Sequence, residues 1–186
     1  MKLTFKNDTF KILQIADTQE GRKVSPDTLA LISAALDREE PDLVVYSGDQ
    51  IWGRGFHGDV NQVRRVLKEL TAPVVERHLP FAICFGNHDR QVGLDNRAQF
   101  EIYKEIPGFI GEDTPGVDGV GNCVLEIADG DRPGYLLYLI DSHSSLKVGY
   151  DHVHQNQIDW YRGVRDSYEK QYGHTIPSVV IQHIPV

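Results

Sequence analysis

Four short apolar runs constrain this chain most, because each one stops at a residue type that ligates metals. Ile12-Leu13-Gln14-Ile15-Ala16 stops at Asp17, and Leu43-Val44-Val45-Tyr46 leads into Ser47-Gly48-Asp49-Gln50. Phe81-Ala82-Ile83-Cys84-Phe85 leads into Gly86-Asn87-His88-Asp89, and Val179-Val180-Ile181-Gln182 stops at His183. Apolar runs of this length read as buried strands. Each polar group then falls at the carboxyl end of a strand, the edge at which open α/β sheets bind ligands. Two aspartates, an asparagine and a histidine gathered there make a site rich in oxygen and nitrogen donors, which suits a metal.

Between the strand-like runs lie segments of helical periodicity, so the fold class is α/β. Leu3 to Phe5 and Phe10 to Ile15 read as strands around a turn at Asn7-Asp8. Ser25 caps a helix that starts at Pro26 and ends before Pro41, with Leu29, Ile32, Ala35 and Leu36 on one face. Asp59 to Arg77 carries Val63, Val66, Leu67 and Leu70 on a second helical face, which Pro73 is expected to kink or break unless it opens a second helix at Thr71. Asn96 to Ile106 reads as a short helix. Pro107 to Gly121 is rich in Gly, Pro and Asp and reads as a long loop. Cys123 to Ile127 and Tyr135 to Ile140 form a hairpin of a second sheet. Gln155 to Tyr172 is a helix and Ser178 to Gln182 a strand. The expectation is a single domain over residues 1–186, with no interdomain linker.

A formal charge of −8 argues against a general binder of nucleic-acid backbones, which carries excess Lys and Arg. It is compatible with a phosphate substrate if bound cations reverse the local field. Met1 to Asp8 has no apolar signal core. No apolar stretch approaches the ~20 residues that cross a bilayer. Cys84 and Cys123 sit in strand-like runs and read as buried free thiols. These features point to a cytoplasmic protein that does not enter the membrane.

The ordered motifs resemble those of the calcineurin-like metallophosphoesterases, most closely the phosphohydrolase branch with an opening like Lys11-Ile12-Leu13-Gln14-Ile15-Ala16-Asp17. The family reads Asp-x-His, Gly-Asp, Gly-Asn-His-Asp or Glu, a lone His, then Gly-His-x-His. Gly48-Asp49 and Gly86-Asn87-His88-Asp89 match in order and context, and His183-Ile184-Pro185 looks like the lone-histidine motif. Asp17-Thr18-Gln19 has glutamine where the family usually has histidine. The final Gly-His-x-His is absent, which makes the expected domain incomplete at its carboxyl end. The resemblance implies two packed mixed β-sheets flanked by helices, an α-β-β-α sandwich. It also implies hydrolysis of a small phosphomonoester or phosphodiester at a dinuclear site of Mn, Fe, Zn or Mg ions with a bridging hydroxide.

On that resemblance Asp49 is shared by both ions and Asp17 serves the first. Asn87 and His183 serve the second, Asn87 also facing the substrate. Gln19 is either a weak neutral ligand or a hydrogen-bond partner of bound water. His88 acts on the substrate and not on metal, a task suited to an imidazole, which as a class titrates near neutral pH. Asp89 is expected to orient the His88 ring. Arg54, in the rim segment after Asp49, is the candidate clamp for a substrate phosphate. Asp151-His152-Val153-His154 precedes His183 and lacks the glycine of the missing motif, so it reads as a polar loop capping the helix at Gln155. Asp141-Ser142-His143 reads as a plain loop. Two rival functions stand beside the esterase: a binding module with a degraded site, and a nuclease or cyclic-nucleotide phosphodiesterase.

Overall fold

A computed structural model describes residues 2–53 and 55–185 of the chain. Among the described residues, seven strands form two sheets. The first is wholly parallel, in the order β2 (Ile12–Ile15), β3 (Leu43–Ser47), β4 (Phe81–Cys84). The second runs β1 (Leu3–Thr4), β5 (Cys123–Asp129), β6 (Arg132–Leu139), β7 (Ser178–Ile181). This second sheet is mixed, since β5 and β6 are antiparallel while β1 and β7 join their neighbours in parallel. The expected pair of packed sheets is present, and only one of them is mixed.

Side-chain alternation along the strands builds the layers. Leu43 and Val45 of β3 face Leu137 and Leu139 of β6 in a core between the sheets, closed by Cys84, Cys123 and Ile181. Val44 and Tyr46, on the other face of β3, pack under α1 (Pro26–Glu39), α2 (Val60–Glu76) and α3 (Asn96–Lys104). Leu136 and Tyr138, on the other face of β6, pack under α4 (Gln155–Tyr172). The order is therefore helices, parallel sheet, mixed sheet, helix. Every residue of β3 and β4 is buried, which is why both read as unbroken apolar runs.

Local chemistry sets the helix ends. Ser25 accepts from the Asp27 N–H ahead of α1, and Asp59 and Asp95 do the same for α2 and α3. Against expectation, Pro73 does not break α2, which is helical through Glu76. Pro73 forfeits one backbone hydrogen bond to the preceding turn, but its ring is buried and the helix runs only three residues beyond it. α2 keeps Val63, Val66, Leu67, Leu70 and Val74 out of water, each worth about 1.5–3 kcal/mol on full burial.

The fourth apolar run lies in the other sheet, an assignment the sequence reading left open. β7 extends the mixed sheet beside β6, with Leu139 opposite Ile181, and does not lie in the parallel sheet with the other three runs. The two sheets converge here. The Cys84 thiol donates to the Ile181 carbonyl at 3.4 Å, and the Ile184 N–H donates to the Ser142 hydroxyl at 2.8 Å. His183 therefore approaches the ends of β2, β3 and β4 from the neighbouring sheet.

Candidate metal centre

The loops after β2 and β3 are locked in unusual backbone. Asp17, Gln19 and Asp49 have φ of 57°, 46° and 55°, and Gly48 has φ of 110°. Such left-handed residues persist where their surroundings over-determine them, and they gather at functional sites. Here the loops are laced together: the Asp17 N–H donates to the Gly48 carbonyl at 3.1 Å and the Gln19 N–H to the Asp49 carbonyl at 2.9 Å. Gly48 and Gly86 have steric reasons as well. A side chain at Gly48 would run into the His183 ring, and one at Gly86 into the Asp49 carboxylate.

Asp49 is the hub. It is 2% exposed. Its Oδ1 accepts the His88 backbone N–H at 2.8 Å. Its Oδ2 lies 3.4 Å from His183 Nε2, 3.8 Å from His88 Nε2 and 3.5 Å from Gln19 Nε2. Burial works to raise its pKa, but the His183 contact and the His88 N–H outweigh burial and hold the carboxyl below its usual range.

His183 is oriented from behind. Its Nδ1 lies 3.0 Å from the Ser47 carbonyl, which can only accept, so Nδ1 carries a proton and Nε2 is the nitrogen that faces Asp49, as a donor in the protonated ring and as a lone pair in the neutral one. A backbone carbonyl holding the far nitrogen is the usual way a metal-ligating imidazole is aimed. The contact with Asp49 raises the His183 pKa against the effect of burial. Asp17, Asp49 and His183 each offer a ligand atom within 4.8 Å of the others. Asn87 and His88 line the same cavity of about 590 Å³, together with Gln19, Tyr150 and Asp151. Carboxylates, an amide and an imidazole suit divalent ions of the Mg, Mn, Fe or Zn type.

One expectation changes. Asp89 does not orient His88. It is buried, and its oxygens accept the backbone N–H groups of Asp49 (2.9 Å), Ile51 (3.1 Å) and Gly86 (2.7 Å). Asp89 thus fastens the loop after β3 to the turn after β4; burial raises its carboxyl to about 6 although those N–H groups pull the other way. The ring of His88 is held instead by Gln91, whose Oε1 lies 2.9 Å from Nδ1, with the Trp52 ring edge-on at 5.7 Å. Sequence reading missed Gln91, although a partner three residues on across a helical turn is a visible spacing. Gln19 donates its amide N–H toward Asp49 Oδ2. Arg54 lies outside the described residues.

Residues 10–186 match the family model of the calcineurin-like phosphoesterases. The chain belongs to this family. The calcineurin-like phosphoesterase chain is 31% identical over 185 residues to the phosphatase DCR2 of Saccharomyces cerevisiae, which covers 84% of it and 32% of the yeast protein. It is 27% identical to a probable inactive purple acid phosphatase 14 of Arabidopsis thaliana, over all of this chain and 56% of the plant protein. In fold it is similar to a dimetal phosphatase from Danio rerio, with a TM-score of 0.65 and 16% identity over 95% of this chain and 70% of that one. The chain thus spans about a third of the yeast relative and just over half of the plant one. Membership implies divalent metal ions and phosphate-ester chemistry. Among the described residues, no helix is long and apolar enough to cross a membrane.

Proposed function

We propose that this chain is a metal-dependent phosphoric ester hydrolase for small phosphomonoesters or phosphodiesters. One observation carries the reading: His183 Nε2, tautomerically fixed by Ser47, points at the ionised Asp49 with Asp17 beside both. Asp49, with two oxygens and a full charge, would be shared by two ions. Asp17 would serve one, and Asn87 Oδ1 and His183 Nε2 the other. Two such ions, when bound, acidify coordinated water and neutralise phosphoryl oxygens.

The protein's own part is positioning and proton handling. Asp89 holds Gly48-Asp49 and Gly86-Asn87 in register, so the donors meet without reorganisation. The Gln91 oxygen accepts from His88 Nδ1 and leaves Nε2 to face the cavity, where the protonated ring can pass a proton to a leaving oxygen or donate to a phosphoryl oxygen. The test is hydrolysis of p-nitrophenyl phosphate and its bis ester with added Mn²⁺. Turnover that EDTA abolishes and Mn²⁺ restores is expected.

A second reading, a binding module without turnover, draws on Gln19. Its amide N–H faces Asp49 Oδ2 where the family commonly places an imidazole, and a neutral amide is a poorer donor to Zn or Fe. Metal bound in stoichiometric amount with neither ester hydrolysed would favour that reading.

A further inference from the structure

The segment after β6, of which Asp141-Ser142-His143 read as a plain loop in sequence, is buried at Asp141, Ser142 and Ser144. Buried polar groups need partners, and one set of partners fixes the segment from behind. The Asp141 N–H donates to Asn122 Oδ1 at 3.0 Å, and the Asp141 carbonyl accepts from Gln157 Nε2 at 2.7 Å. The Asp141 carboxylate accepts the Val120 and His143 N–H groups at 2.8 and 2.9 Å. His143 has a φ of 64°, and its ring turns toward α4, with Nε2 2.9 Å from Gln157 Oε1 and the ring stacked on His154 at 4.0 Å.

The serines on either side of His143 reach the metal centre instead. Ser144 Oγ donates to the Asn87 carbonyl at 3.3 Å. The N–H of that same peptide belongs to His88 and donates to Asp49 Oδ1 at 2.8 Å. The peptide joining Asn87 to His88 is therefore held at both ends, its oxygen by Ser144 and its hydrogen by Asp49. Ser142 Oγ accepts the Ile184 N–H at 2.8 Å and so fixes the peptide that follows His183, whose ring is aimed by the Ser47 carbonyl.

We infer, on the ligand reading proposed above, that Ser142 and Ser144 are positioning residues that set the spacing and orientation of Asn87 and His183 toward the ion those two share. Asn87 follows β4 of the parallel sheet and His183 follows β7 of the mixed sheet, so no local structure fixes their separation. One buried segment that grips the backbone beside both does fix it. Neither hydroxyl touches the ion; each acts through the backbone of the ligand residue. Asp17 is placed by a different tie, its N–H to the Gly48 carbonyl at 3.1 Å, so the effect belongs to the Asn87–His183 ion.

Isothermal titration of Mn²⁺ into metal-free protein tests this in two backgrounds. Asp17→Asn weakens the first ion and leaves the Asn87–His183 ion to be measured, and Asn87→Ala does the reverse. In Asp17→Asn, adding Ser144→Ala or Ser142→Ala should weaken Mn²⁺ binding about 10–100-fold, the usual effect of removing a partner that orients a ligand. In Asn87→Ala the same additions should change it by no more than about twofold, as for independent sites. Thr71→Val, which removes a buried hydroxyl bonded to a backbone carbonyl in α2, should leave Mn²⁺ binding unchanged in both backgrounds whatever it does to Tm. Ser144→Cys keeps the side-chain size with a weaker donor and serves if Ser144→Ala does not fold. Equal Mn²⁺ affinity with and without the serine changes in Asp17→Asn, or an equal loss in both backgrounds, would overturn the inference and leave the metal centre standing. Native protein that takes up fewer than two Mn²⁺ per chain would instead overturn the ligand reading, and the inference with it.

Discussion

Nε2 of His183 stands 3.4 Å from Oδ2 of Asp49, while Nδ1 of the same ring is tied 3.0 Å away to the Ser47 carbonyl. The two residues follow strands of different sheets, so the pair is a clasp between layers as well as a ligand pair. A lone pair and a carboxylate facing each other repel unless a cation or proton lies between them. Asp49→Asn removes the charge that balances cations here. We expect elemental analysis to find fewer than two ions per chain, and the divalent-induced rise in Tm of the native chain to shrink by mass action. Two ions retained per chain would remove Asp49 from the shared position.

His88 and Gln91 should separate in their effects. His88→Asn leaves the proposed ligands intact, so metal content should hold while turnover falls about 10²–10⁴-fold, the range for loss of a general acid. Gln91→Ala frees the ring without removing it. A smaller loss of kcat, with metal content unchanged, is the expected result. Metal lost in step with activity in His88→Asn would make His88 a ligand.

Much of this was legible in the chain, and the failures have physical causes. β3 and β4 announced themselves because both their faces are covered, which demands apolar residues at every position. β7 did not announce its sheet. Its partner β6 is some forty residues away in sequence, and nothing in Ser178-Val179-Val180-Ile181 distinguishes one parallel neighbour from another. Asp89 was misread because adjacency to His88 suggested contact. Consecutive side chains point apart, and Asp89 turns inward to three backbone N–H groups. The approach of His143 to Asp151 and His154 was invisible for the same reason as β7, since the two segments meet only through the tertiary fold.

Asp89→Ala tests that inward role. It leaves three buried N–H groups without an acceptor, each costing about 1–3 kcal/mol. Urea unfolding should show a loss of more than ~3 kcal/mol, on the same reckoning. A loss below ~1 kcal/mol would mean that water or a neighbour replaces the carboxylate.

Asp42 supplies a pH dependence far from the metal centre. Partial burial works to raise its pKa, but the Lys11 N–H at 2.9 Å and the Lys6 ammonium at 2.6 Å prevail and lower it. A carboxyl lowered on folding adds stability above its unfolded pKa, ordinarily about 3.9, and loses it as pH falls through the folded value. Native protein should therefore exceed Asp42→Asn in Tm at pH 7, with the gap closing as pH drops below about 4. A gap that stays constant into acid would show that the charge contributes nothing.

Gly48 links backbone strain to ligand geometry. At φ 110° any side chain is strained, and here the added carbon would also strike the His183 ring. Gly116 is the control: its φ is 79°, but nothing lies within 4 Å of the position a side chain would take. Both alanine variants carry a backbone cost of about 1 kcal/mol or more, whereas Gly48→Ala must also displace the imidazole that faces Asp49. We expect Gly116→Ala to lower Tm modestly with divalent affinity unchanged. Gly48→Ala should weaken Mn²⁺ binding at least tenfold beyond whatever it does to Tm. Isothermal titration of both variants makes the comparison, and equal Mn²⁺ affinity in the two would mean that His183 does not set the metal affinity of this centre.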